Sequence, residues 1–596
     1  MKRGRTWRTF CFCIGIHNLI YYFNVVRKMG IIGLKEADCR SCYRCLKVCP
    51  VKSIKFTDEQ ARILDTDCLL CGSCINECPQ GAKTLHSDLP EVRRQIKMGR
   101  QVIAAIAPSF FSDFPVDSDG KIAGALKQLG FYGTAQVSYA AAYVSREYYR
   151  LAQQGEMKNI LTTCCPVIND LVEKYYPDMV PYLAPVQSPM VVCGELIKRQ
   201  FGPDAVTVFI GPCIAKKGES TDIRHNTQID YVLNFGDLAQ WFSEEQIDVS
   251  ACEEAEFLRP NAEIMRLYPV SGGIIKTVKA LGPVDKYDFS GVDGIDECKE
   301  VFESIRAGEI EHCFIELNAC KGGCVNGPAR GNMGANRFTG SIKLKKHVAK
   351  TGTAYPETTG EPDIHKMFLG REDKKNIPDE ATIRAILRKI GKETKAQELN
   401  CGSCGYPTCR DKAIAVYQGK AELTMCVPYM RQRAESLSNT VMTQTPNITI
   451  IADSDLNIVE FNPAAERAFG ITRAQALQKG LYEILDTQDF LGVFDTQNDV
   501  TDKKIELPRY GLILMMSIVY IPENNMVMGV FKDITQEERR RADMVKLRDD
   551  TVSMAQNVIE KQMVVAQEIA SLLGETTAET KVTLTKLKKM LESDGE

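Results

Sequence analysis

Short, mainly apolar runs recur through the first half of the chain, and each is followed by a loop that contains cysteine, glycine or proline. Runs of this length and composition are typical of strands buried on both faces of a parallel sheet. Loops at the carboxyl ends of such strands are where α/β sheets place their sites. The pattern therefore predicts an α/β region with a site assembled from several loops. The runs are Val102–Ile106, Ile160–Leu161, Val206–Ile210 and Phe314–Leu317.

The pattern changes to helices and then to alternating strands further along the chain. Ala381–Ile390 has isoleucine and leucine at helical spacing on one face, and Arg410–Leu423 is an alanine-rich helical pattern. After residue 437, alternating runs predict strands, with a short helix at 463–470 between them. The strands are Asn447–Ala452, Ile458–Asn462, Gly511–Ile521 and Asn525–Asp533. These patterns predict a small helical region followed by an α+β domain.

The last sixty residues form a charged helical stretch, Glu537–Leu573, and a short segment, Lys581–Leu591. Apolar residues three or four positions apart run along the first of these, with polar breaks at Thr551 and Lys561. They are Met544, Leu547, Met554, Val558, Val565, Ile569 and Leu572. Such a stripe is typical of a dimeric signalling helix, and packing on the preceding domain is the alternative.

Composition narrows the class of protein. The 596 residues are enough for about four domains of roughly 150 residues. With 44% apolar and 25% charged residues, the chain is not disordered as a whole. The net charge of −3, from 74 basic and 77 acidic residues, argues against nucleic acid as the main partner.

The amino terminus has a basic start, Met1–Arg8, and an apolar run, Phe10–Val26. The run is short for a membrane span, it contains His17 and two asparagines, and no small-residue cleavage site follows it. We interpret the first 28 residues as a start-site artefact or a dispensable tail, and a membrane anchor is the alternative. No other stretch of the sequence is apolar enough to span a bilayer.

Cysteine is the most informative residue type, with 23 copies against 6 histidines. Tight groups with CxxC steps in a large chain favour metal ligation over disulfides. Two copies of CxxCxxCxxxCP match the bacterial two-cluster ferredoxin pattern, in which the fourth cysteine of each run ligates the other 4Fe–4S cluster. One predicted ligand set is Cys39, Cys42, Cys45 and Cys78. The other is Cys68, Cys71, Cys74 and Cys49.

A third group of cysteines has three members in CGSCGYPTCRDKA, and sixteen residues separate the third of them from the fourth. It resembles the single-cluster 4Fe–4S domain of electron-transfer and corrinoid proteins, with the fourth ligand returning from the far end of a helix. A four-cysteine zinc site is the alternative, although its gaps are shorter as a rule. The ligands would be Cys401, Cys404, Cys409 and Cys426.

A dispersed constellation follows three of the predicted strands. Its segments are TTCCP at 162–166, GPCIAKKGE at 211–219 and ACKGGC at 319–324. Two glycines lie between the last two cysteines, where absent side chains would let the backbone approach a bulky cofactor. Lys216 lies three residues after Cys213, and a buried ammonium needs an anionic partner.

These three segments, in this order, resemble the signature of the FeFe-hydrogenases over about residues 31–335. The resemblance implies an H-cluster, which is a 4Fe–4S cubane joined through one cysteine to a diiron unit carrying CO, cyanide and a bridging azadithiolate. It implies reversible conversion of H2 into protons and electrons. The implied cubane ligands are Cys165, Cys213, Cys320 and Cys324, with Cys324 also bridging to the diiron unit.

The same resemblance implies roles for residues around the diiron unit. Lys216 would bond a cyanide on the distal iron, and Pro108 and Ser109 would line the unit and contact the other cyanide. Cys164 corresponds to the thiol that passes protons to the bridgehead amine. Glu219 corresponds to a position in the cofactor's protein surroundings.

The sequence departs from the members of that family that are built for turnover. Positions where those members carry methionine, tryptophan or an SPQQ-like segment are Gly211, Asn318, Val167–Ile168 and Ser188–Val191. The helix that normally supplies a glutamate–glutamate–arginine relay reads Ala140–Arg150 here, with Glu147 as its only carboxylate. A multistep relay needs acid–base groups within hydrogen-bond reach. We therefore expect a functioning cofactor with modest catalysis.

Residues 440–536 resemble a PAS domain through the runs IVEFNPAAERAFGIT and MGVFKDITQEERR. This segment contains no histidine, cysteine or tryptophan, which argues against a histidine-ligated heme or a cysteine-reactive flavin. We interpret it as a protein-only signalling and dimerisation module. The residues after it are too few for a kinase or phosphatase domain, so any output would pass to a separate protein.

The expected fold is multidomain, α/β and α+β, and its parts are as follows. They are an N-terminal extension (1–30), a ferredoxin-like domain with two 4Fe–4S clusters (31–90), a two-lobed α/β hydrogenase domain (91–340), a linker (341–380), a small helical 4Fe–4S domain (381–435), a PAS domain (440–536) and a helical signalling tail (537–596).

The leading hypothesis is a hydrogen-sensing FeFe-hydrogenase with an H-cluster and three further 4Fe–4S clusters. Expected partners are H2 and protons, a ferredoxin or other redox partner, a signalling kinase or phosphatase in trans, and a second copy of the chain. Neither nucleic acid nor a membrane is an expected partner, and the expected location is the cytoplasm of an anaerobic cell. The alternatives are a metabolic ferredoxin-linked hydrogenase and a non-catalytic iron–sulfur assembly protein.

Overall fold

The computed structural model describes residues 30–225, 228–259, 263–331, 336–351, 355–356, 360–371, 377–573 and 578–593. The interpretation of the first 28 residues, which include Cys11 and Cys13, lies outside the described residues. The chain divides into two compact units, Met1–Tyr429 and Met430–Glu596. Among the described helices, none combines the length and the apolar character that crossing a membrane requires.

The first unit begins with two small antiparallel sheets around the ferredoxin-type cysteines. Strand β1 (Ile32–Leu34) pairs with β4 (Lys83–Leu85), and β2 (Ile54–Thr57) forms a hairpin with β3 (Gln60–Ile63). The β1–β4 pair brings the two ends of this segment together, because His86 also donates its backbone N–H to the carbonyl of Ile31. Two short helices, Arg44–Val48 and Ser73–Asn76, carry cysteines of the two ferredoxin runs.

Two separate parallel sheets follow, and together they confirm the predicted α/β region. One has the order β6-β5-β8-β9 and the other the order β10-β11-β7. The strands of the first are β5 (Val102–Ile106), β6 (Gly133–Gln136), β8 (Val206–Gly211) and β9 (Tyr231–Asn234). The strands of the second are β7 (Ile160–Leu161), β10 (Asp288–Asp293) and β11 (Cys313–Asn318). The four predicted runs are strands, but they are divided between the two sheets.

Helices surround these sheets and bury them. Strand β5 is buried along its whole length, as expected for a strand covered on both faces. The described α-helices between residues 89 and 306 are Leu89–Lys97, Phe110–Asp113, Asp119–Gln128, Val137–Gln154, Pro166–Tyr175, Pro189–Phe201, Ala215–Ser220, Phe235–Glu244, Gly273–Lys279 and Ile295–Arg306.

The segment 341–380, assigned above as a linker, begins inside a helix, Arg337–Thr351. Leu344 and Val348 of this helix are buried, and His347 stacks on the ring of Phe111 with centroids 3.8 Å apart. The described part of this segment therefore covers the hydrogenase-like region as well as connecting it to the next domain.

The predicted helix over 381–390 is confirmed as Glu380–Lys389, and the Asp379 side chain caps it by accepting the N–H of Thr382. The second predicted helix is shorter than expected. It spans Cys409–Tyr417 rather than 410–423. The chain turns at Gly419, whose φ of +67° is in the left-handed region, and a 3-10 turn then leads to Cys426. A helix, Val427–Gln444, follows directly.

The second unit contains a five-stranded antiparallel sheet with the order β13-β12-β16-β15-β14. Its strands are β12 (Ile448–Ala452), β13 (Ile458–Phe461), β14 (Val500–Leu507), β15 (Leu512–Ile521) and β16 (Met526–Asp533). Four of them were predicted, and the largely exposed edge strand β14 was not. Its helices are Pro463–Phe469, Arg473–Ala476, Gln488–Thr496, the 39-residue Thr535–Leu573 and Ala578–Ser593.

Candidate metal centres

Three of the four predicted cysteine sets each line a cavity of their own. The two ferredoxin sets interleave as the sequence pattern predicts, since the fourth cysteine of each run lies with the first three of the other. The cavity sets are Cys39, Cys42, Cys45 and Cys78; Cys49, Cys68, Cys71 and Cys74; and Cys401, Cys404, Cys409 and Cys426. Four thiols around one small cavity are a donor set that fits a 4Fe–4S cluster.

The fourth set comes from three distant loops, which follow β7, β8 and β11. Cys165, Cys213, Cys320 and Cys324 line one cavity between the two parallel sheets, called the interlobe cavity below, and Cys71 of the ferredoxin region lies on its wall. Burial raises the pKa of Cys213 to about 11 and holds that of Cys320 well above its ordinary value. Buried thiolates therefore need a compensating metal, and this donor set also fits a 4Fe–4S cluster.

Gly323 gives the last of these loops its shape. Its φ of +84° is in the left-handed region, and a Cβ there would lie 2.5 Å from the carbonyl oxygen of Pro269. Only glycine satisfies both conditions. The backbone consequently runs close to Pro269, and Cys324 begins a short 3-10 turn that directs its side chain to the cavity.

A second cavity of about 90 Å³ adjoins the interlobe cavity and shares Cys165, Cys213 and Cys324 with it. Its lining is largely apolar and includes Val137, Ala141, Met190, Phe209, Pro212, Pro269 and Ile274. Cys164, Lys216 and Ser109 are polar groups on its wall. The Ser109 hydroxyl is buried and has no hydrogen-bond partner among the described residues. An orphaned hydroxyl here fits a group that accepts a hydrogen bond inside the cavity.

Lys216 is held by the predicted residue Glu219. Its Nζ donates to Glu219 Oε2 at 2.6 Å and to the carbonyl oxygen of Cys164 at 3.2 Å. Burial opposes the charge, but the attraction of Glu219 outweighs it and the pKa of the Lys216 ammonium is raised. Glu219 also accepts the hydroxyl of Ser188 at 3.0 Å. An ammonium has three donors, so one is left for a ligand in the cavity.

Glu219 itself lies behind Lys216 and does not line the cavity. Pro108 and Ser109 follow β5, with Ala107 donating its backbone N–H to the carbonyl of Ile210. This bond ties the loop to the neighbouring strand β8 and places it at the edge of the cavity. The sequence-predicted residues Cys164, Lys216, Pro108 and Ser109 are therefore brought together.

Tyr148 is a site residue that sequence reasoning missed. Its hydroxyl lies 3.3 Å from the Cys164 sulfur and 3.2 Å from the Thr163 hydroxyl, and it accepts the backbone N–H of Thr163 at 2.9 Å. Burial raises the pKa of Cys164 to about 12, so the thiol is protonated at neutral pH. The helix that carries Tyr148 also carries Glu147, which is paired with Arg150 at 2.7 Å.

Glu316 is a second residue that the sequence did not single out. Burial raises its pKa to about 6, although the N–H groups of Gly272 and Ile275 both donate to it at 3.0 Å. The side-chain amide of Asn318 donates to it at 3.1 Å, and Asn318 lines the second cavity. A single glutamate inside an apolar strand gives no sequence signal beyond its interruption of the run.

Family models match four parts of the chain. Residues 31–79 match a 4Fe-4S dicluster domain, and residues 397–428 match a putative Fe-S cluster domain. The chain is therefore an iron–sulfur protein. Residues 100–328 match the iron only hydrogenase large subunit, C-terminal domain, and residues 437–534 match the PAS fold. The chain thus contains an iron-only hydrogenase domain together with a PAS domain, and these matches confirm the predicted fold class.

Curated relatives are similar over about half of the chain. The NADP-reducing hydrogenase subunit HndD of Solidesulfovibrio fructosivorans is 26% identical over 49% of this chain and 62% of its own length. The periplasmic Fe hydrogenase large subunit of Nitratidesulfovibrio vulgaris is 28% identical over 50% of this chain and 86% of its own length. The chain thus spans less than two thirds of the first of these relatives.

Two more distant similarities complete the comparison. A cytosolic Fe–S cluster assembly factor of Encephalitozoon cuniculi is 22% identical over 32% of this chain and 57% of its own length. Among solved structures, an FeFe-hydrogenase of Chlamydomonas reinhardtii is 17% identical, with a TM-score of 0.38, and covers 48% of this chain and 99% of that one.

Proposed function

We propose that the protein is a hydrogen-sensing FeFe-hydrogenase, which interconverts H2 with protons and electrons at modest turnover and passes its redox state to a signalling partner. One observation carries the proposal. Four cysteines from three loops line the interlobe cavity, and the adjoining cavity presents Cys164, Lys216 and an orphaned Ser109 hydroxyl. This arrangement occurs in a chain that also contains a PAS domain.

The cysteines of the interlobe cavity would hold the cubane of an H-cluster, and Cys324 is one of three of them that also line the second cavity, where the diiron unit would lie. When bound, the diiron unit supplies the chemistry that splits and forms H2. Lys216 and Ser109 would donate hydrogen bonds to cyanide ligands, since each has a donor that the protein leaves for the cavity.

Cys164 would carry protons to and from this cavity. Its thiol is protonated at neutral pH, it lines the cavity, and the Tyr148 hydroxyl is its neighbour on the protein side. A proton donor must be within hydrogen-bond reach of the group that it serves. Because Glu147 is bound to Arg150, it does not supply the next carboxylate of a relay, which supports modest turnover.

Electrons would leave through the ferredoxin clusters. Cys71, a proposed ligand of one ferredoxin cluster, lies on the wall of the interlobe cavity, so the two clusters would be neighbours. Three ligand sets beyond the interlobe cavity imply three further 4Fe–4S clusters. The PAS domain and the terminal helices would present the redox state to a kinase or phosphatase in trans.

Infrared spectroscopy of the anaerobically matured protein tests the cofactor. Bands from CO and cyanide are expected, H2 should change them, and Cys324→Ala should abolish them. Cys298→Ala is the matched control, because Cys298 is a buried cysteine that lies outside both cavities. Bands that are absent from the wild-type protein would reduce the proposal to an ordinary iron–sulfur scaffold.

Turnover and partner binding test the sensory role. Slow H2 oxidation is expected, together with an H2-dependent change in the association with a partner kinase or phosphatase. Brisk turnover without any partner effect would favour the alternative of a metabolic hydrogenase coupled to ferredoxin.

A non-catalytic role in iron–sulfur assembly is the second candidate function. The similarity to a cytosolic Fe–S cluster assembly factor favours it. Lys216 and Ser109 oppose it, because a scaffold that carries only a cubane gives these two donors no ligand in the second cavity. The infrared experiment separates the two candidates.

A further inference from the structure

Two buried lysines line the cavity of the C-terminal cysteine set. Lys412 is 1% exposed and Lys392 is 5% exposed. The Lys412 ammonium donates to the carbonyl oxygen of Leu423 at 3.0 Å, and that of Lys392 donates to the carbonyl oxygen of Gln397 at 2.8 Å. Within the described ranges, no carboxylate forms an ion pair with either lysine.

Burying an ammonium without an anion is costly, so this pair needs a negative group nearby. Burial lowers the pKa of Lys412, and the charged groups that oppose this are the cysteines of the cavity, with Cys426 the strongest. Four thiolates outweigh the charge of an iron–sulfur core, so a 4Fe–4S cluster is an anion that becomes more negative on reduction. Because the reduced cluster is the more negative form, the two lysine ammonium groups would stabilise it more than they stabilise the oxidised cluster.

Cations also lie near the ferredoxin cysteines, but each of them is shared, paired or more exposed. Lys83 is buried and acts on cysteines of both sets, Cys45 and Cys74, so the two clusters would share it. Lys174 contacts the carbonyl oxygen of Cys68, but its ammonium lies 3.6 Å from the carboxylate of Asp170.

Three further cations are less buried than Lys392 and Lys412. Lys52 acts on Cys49, but it is only half-buried and the carboxylates of Asp296 and Asp411 also act on it. Arg40 and Arg44 line the cavity of the first ferredoxin set, and both are exposed. Among the described residues, the C-terminal cavity is therefore the one of the three that two buried lysines line without a carboxylate partner.

The same set lies against the ferredoxin region. A Cβ on Gly405 would lie 2.9 Å from the side chain of Leu46, the residue that follows Cys45. Tyr406 is buried, and both Cys404 and Cys49 act on its pKa, which burial raises. The loop of the C-terminal set is thus packed on the chain between the two ferredoxin ligand sets.

We propose that Lys392 and Lys412 raise the reduction potential of the C-terminal 4Fe–4S cluster above those of both ferredoxin clusters. This cluster is then the electron acceptor at the end of the chain. One electron leaves a reduced ferredoxin cluster and enters the C-terminal cluster, and no bond is made or broken. The inference rests on the proposed function for the clusters themselves and for the source of the electron.

The position of this acceptor gives it a role in signalling. Cys426 directly precedes the helix Val427–Gln444, so the added negative charge arises at the helix amino terminus. Anions at a helix amino terminus stabilise the helix. Reduction would therefore stabilise the start of the helix that leads along the chain to the PAS fold.

A potentiometric titration followed by electron paramagnetic resonance tests the proposal on the full chain with 4Fe–4S clusters but without the diiron unit. The signal that disappears in Cys426→Ala identifies the C-terminal cluster. Its potential should be the highest of the three non-H-cluster centres. Lys412→Met and Lys392→Met should each lower its reduction equilibrium constant at least about tenfold, which is about 59 mV for a one-electron couple.

Two variants control for the loss of a lysine as such. Lys412→Arg keeps the charge and should keep the potential. Lys389→Met removes an exposed lysine of the same domain and should leave the potential unchanged. Shifts in Lys412→Met and Lys392→Met no larger than that in Lys389→Met would overturn the proposal, as would a C-terminal cluster whose potential lies below that of either ferredoxin cluster.

Retention of the cluster is checked by iron and sulfide analysis. If Lys412→Met loses the cluster, the potential measured in Lys392→Met tests the proposal. Loss of the cluster in both variants would show that the lysines have a structural role and would overturn their role in setting the potential. Because the diiron unit is absent from the sample, missing infrared bands would disprove the proposed function without affecting this result.

Discussion

Some polar groups around the second cavity form hydrogen bonds to other protein groups, and others do not. Lys216 is held by Glu219, and Cys164 has Tyr148 as its neighbour, whereas the Ser109 hydroxyl lacks a protein partner among the described residues. Buried polar groups are normally satisfied, so an exception inside a cavity marks the place of a ligand. The structure therefore separates the residues that would contact a ligand from the residues that hold those residues in position. Motif matching alone does not make this distinction.

Replacing Cys164 with alanine should remove proton transfer and little else. We expect H2 turnover to fall by about 100-fold or more, the range of a lost general acid–base group. The infrared bands should persist, because Cys164 is not among the proposed iron ligands. Cys193→Ala is the control, since Cys193 is a buried cysteine that does not line either cavity. Equal turnover in the two variants would exclude Cys164 as the proton carrier.

Tyr148→Phe should act on both stability and turnover. The variant removes the hydroxyl that accepts the Thr163 N–H, and leaving that buried group unsatisfied should cost about 1–3 kcal/mol of folding stability. It also removes one hydrogen bond to Cys164, for which we expect a turnover loss of no more than about tenfold. Thermal unfolding and H2 oxidation measure the two effects. A turnover loss as large as that of Cys164→Ala would instead make Tyr148 part of the proton path.

The residues of this site that sequence predicted are those in short motifs. Cysteine motifs predicted the ligand sets, and the motif in the loop after β8 predicted a role for Lys216. Tyr148 and Glu316 were missed because their roles depend on helix phase and on burial, which bring residues from different elements together. A tyrosine in an apolar helix looks the same in sequence whether its hydroxyl meets a thiol or solvent.

At the scale of elements, the uniformly apolar strands could be predicted from the sequence. Their distribution between two separate sheets could not. Strands β5, β8 and β11 are buried along most of their length, which is the property that the sequence displays. Whether β8 and β11 share a sheet depends on long-range pairing, which leaves no local pattern. The edge strand β14 was missed because most of its residues are exposed and charged, so it lacks alternation.

Helix ends show the same limit. The alanine-rich pattern after Arg410 extends beyond the helix, which ends at Tyr417. The glycine at 419 adopts a positive φ and turns the chain, and this local signal was available in the sequence. The periodic pattern alone overstated the helix because alanine is compatible with the turn that follows.

The loop between Cys320 and Cys324 gives a prediction at this scale. Gly322 and Gly323 both have positive φ, but a Cβ on Gly322 would meet only Arg337 Cδ at 3.8 Å, whereas a Cβ on Gly323 would meet backbone at 2.5 Å. Both alanine variants should show backbone strain of about 1–2 kcal/mol. Only Gly323→Ala should also displace the loop and lose cubane iron. Iron analysis and thermal unfolding of the full chain test this, and equal iron content in the two variants would contradict it.

At the scale of the molecule, hydrogenase-like and regulatory parts were separable by composition. Cysteine is concentrated before residue 427, and the PAS segment contains none. The match to an iron-only hydrogenase domain ends before residue 427, and the match to a PAS fold begins after it. What sequence left open was the environment of the terminal helix, since one stripe serves equally for a dimer and for packing within the chain.

The helix Thr535–Leu573 carries an exposed apolar stripe, from which we predict a dimer. Met544, Leu547, Met554 and Val558 are 58–70% exposed, so the PAS domain of the same chain does not cover this end of the stripe. An apolar stripe of this length left in water is typical of a surface that pairs with another helix. A second copy of the same helix presents the same stripe, and pairing of the two helices would bury the apolar side chains of both.

Replacing Leu547 and Val558 with glutamate should therefore dissociate the dimer. Two carboxylates in the helix interface would weaken dimerisation by at least about 100-fold, which is about 3 kcal/mol. Light scattering after anaerobic size-exclusion chromatography measures the mass over a range of concentrations. Asp549→Lys reverses the charge of a side chain on this helix that lies outside the stripe, so this control variant should remain dimeric. If the wild-type protein is a monomer at every concentration, the exposed stripe must pair with the signalling partner instead, and that partner should then lose binding to the double variant.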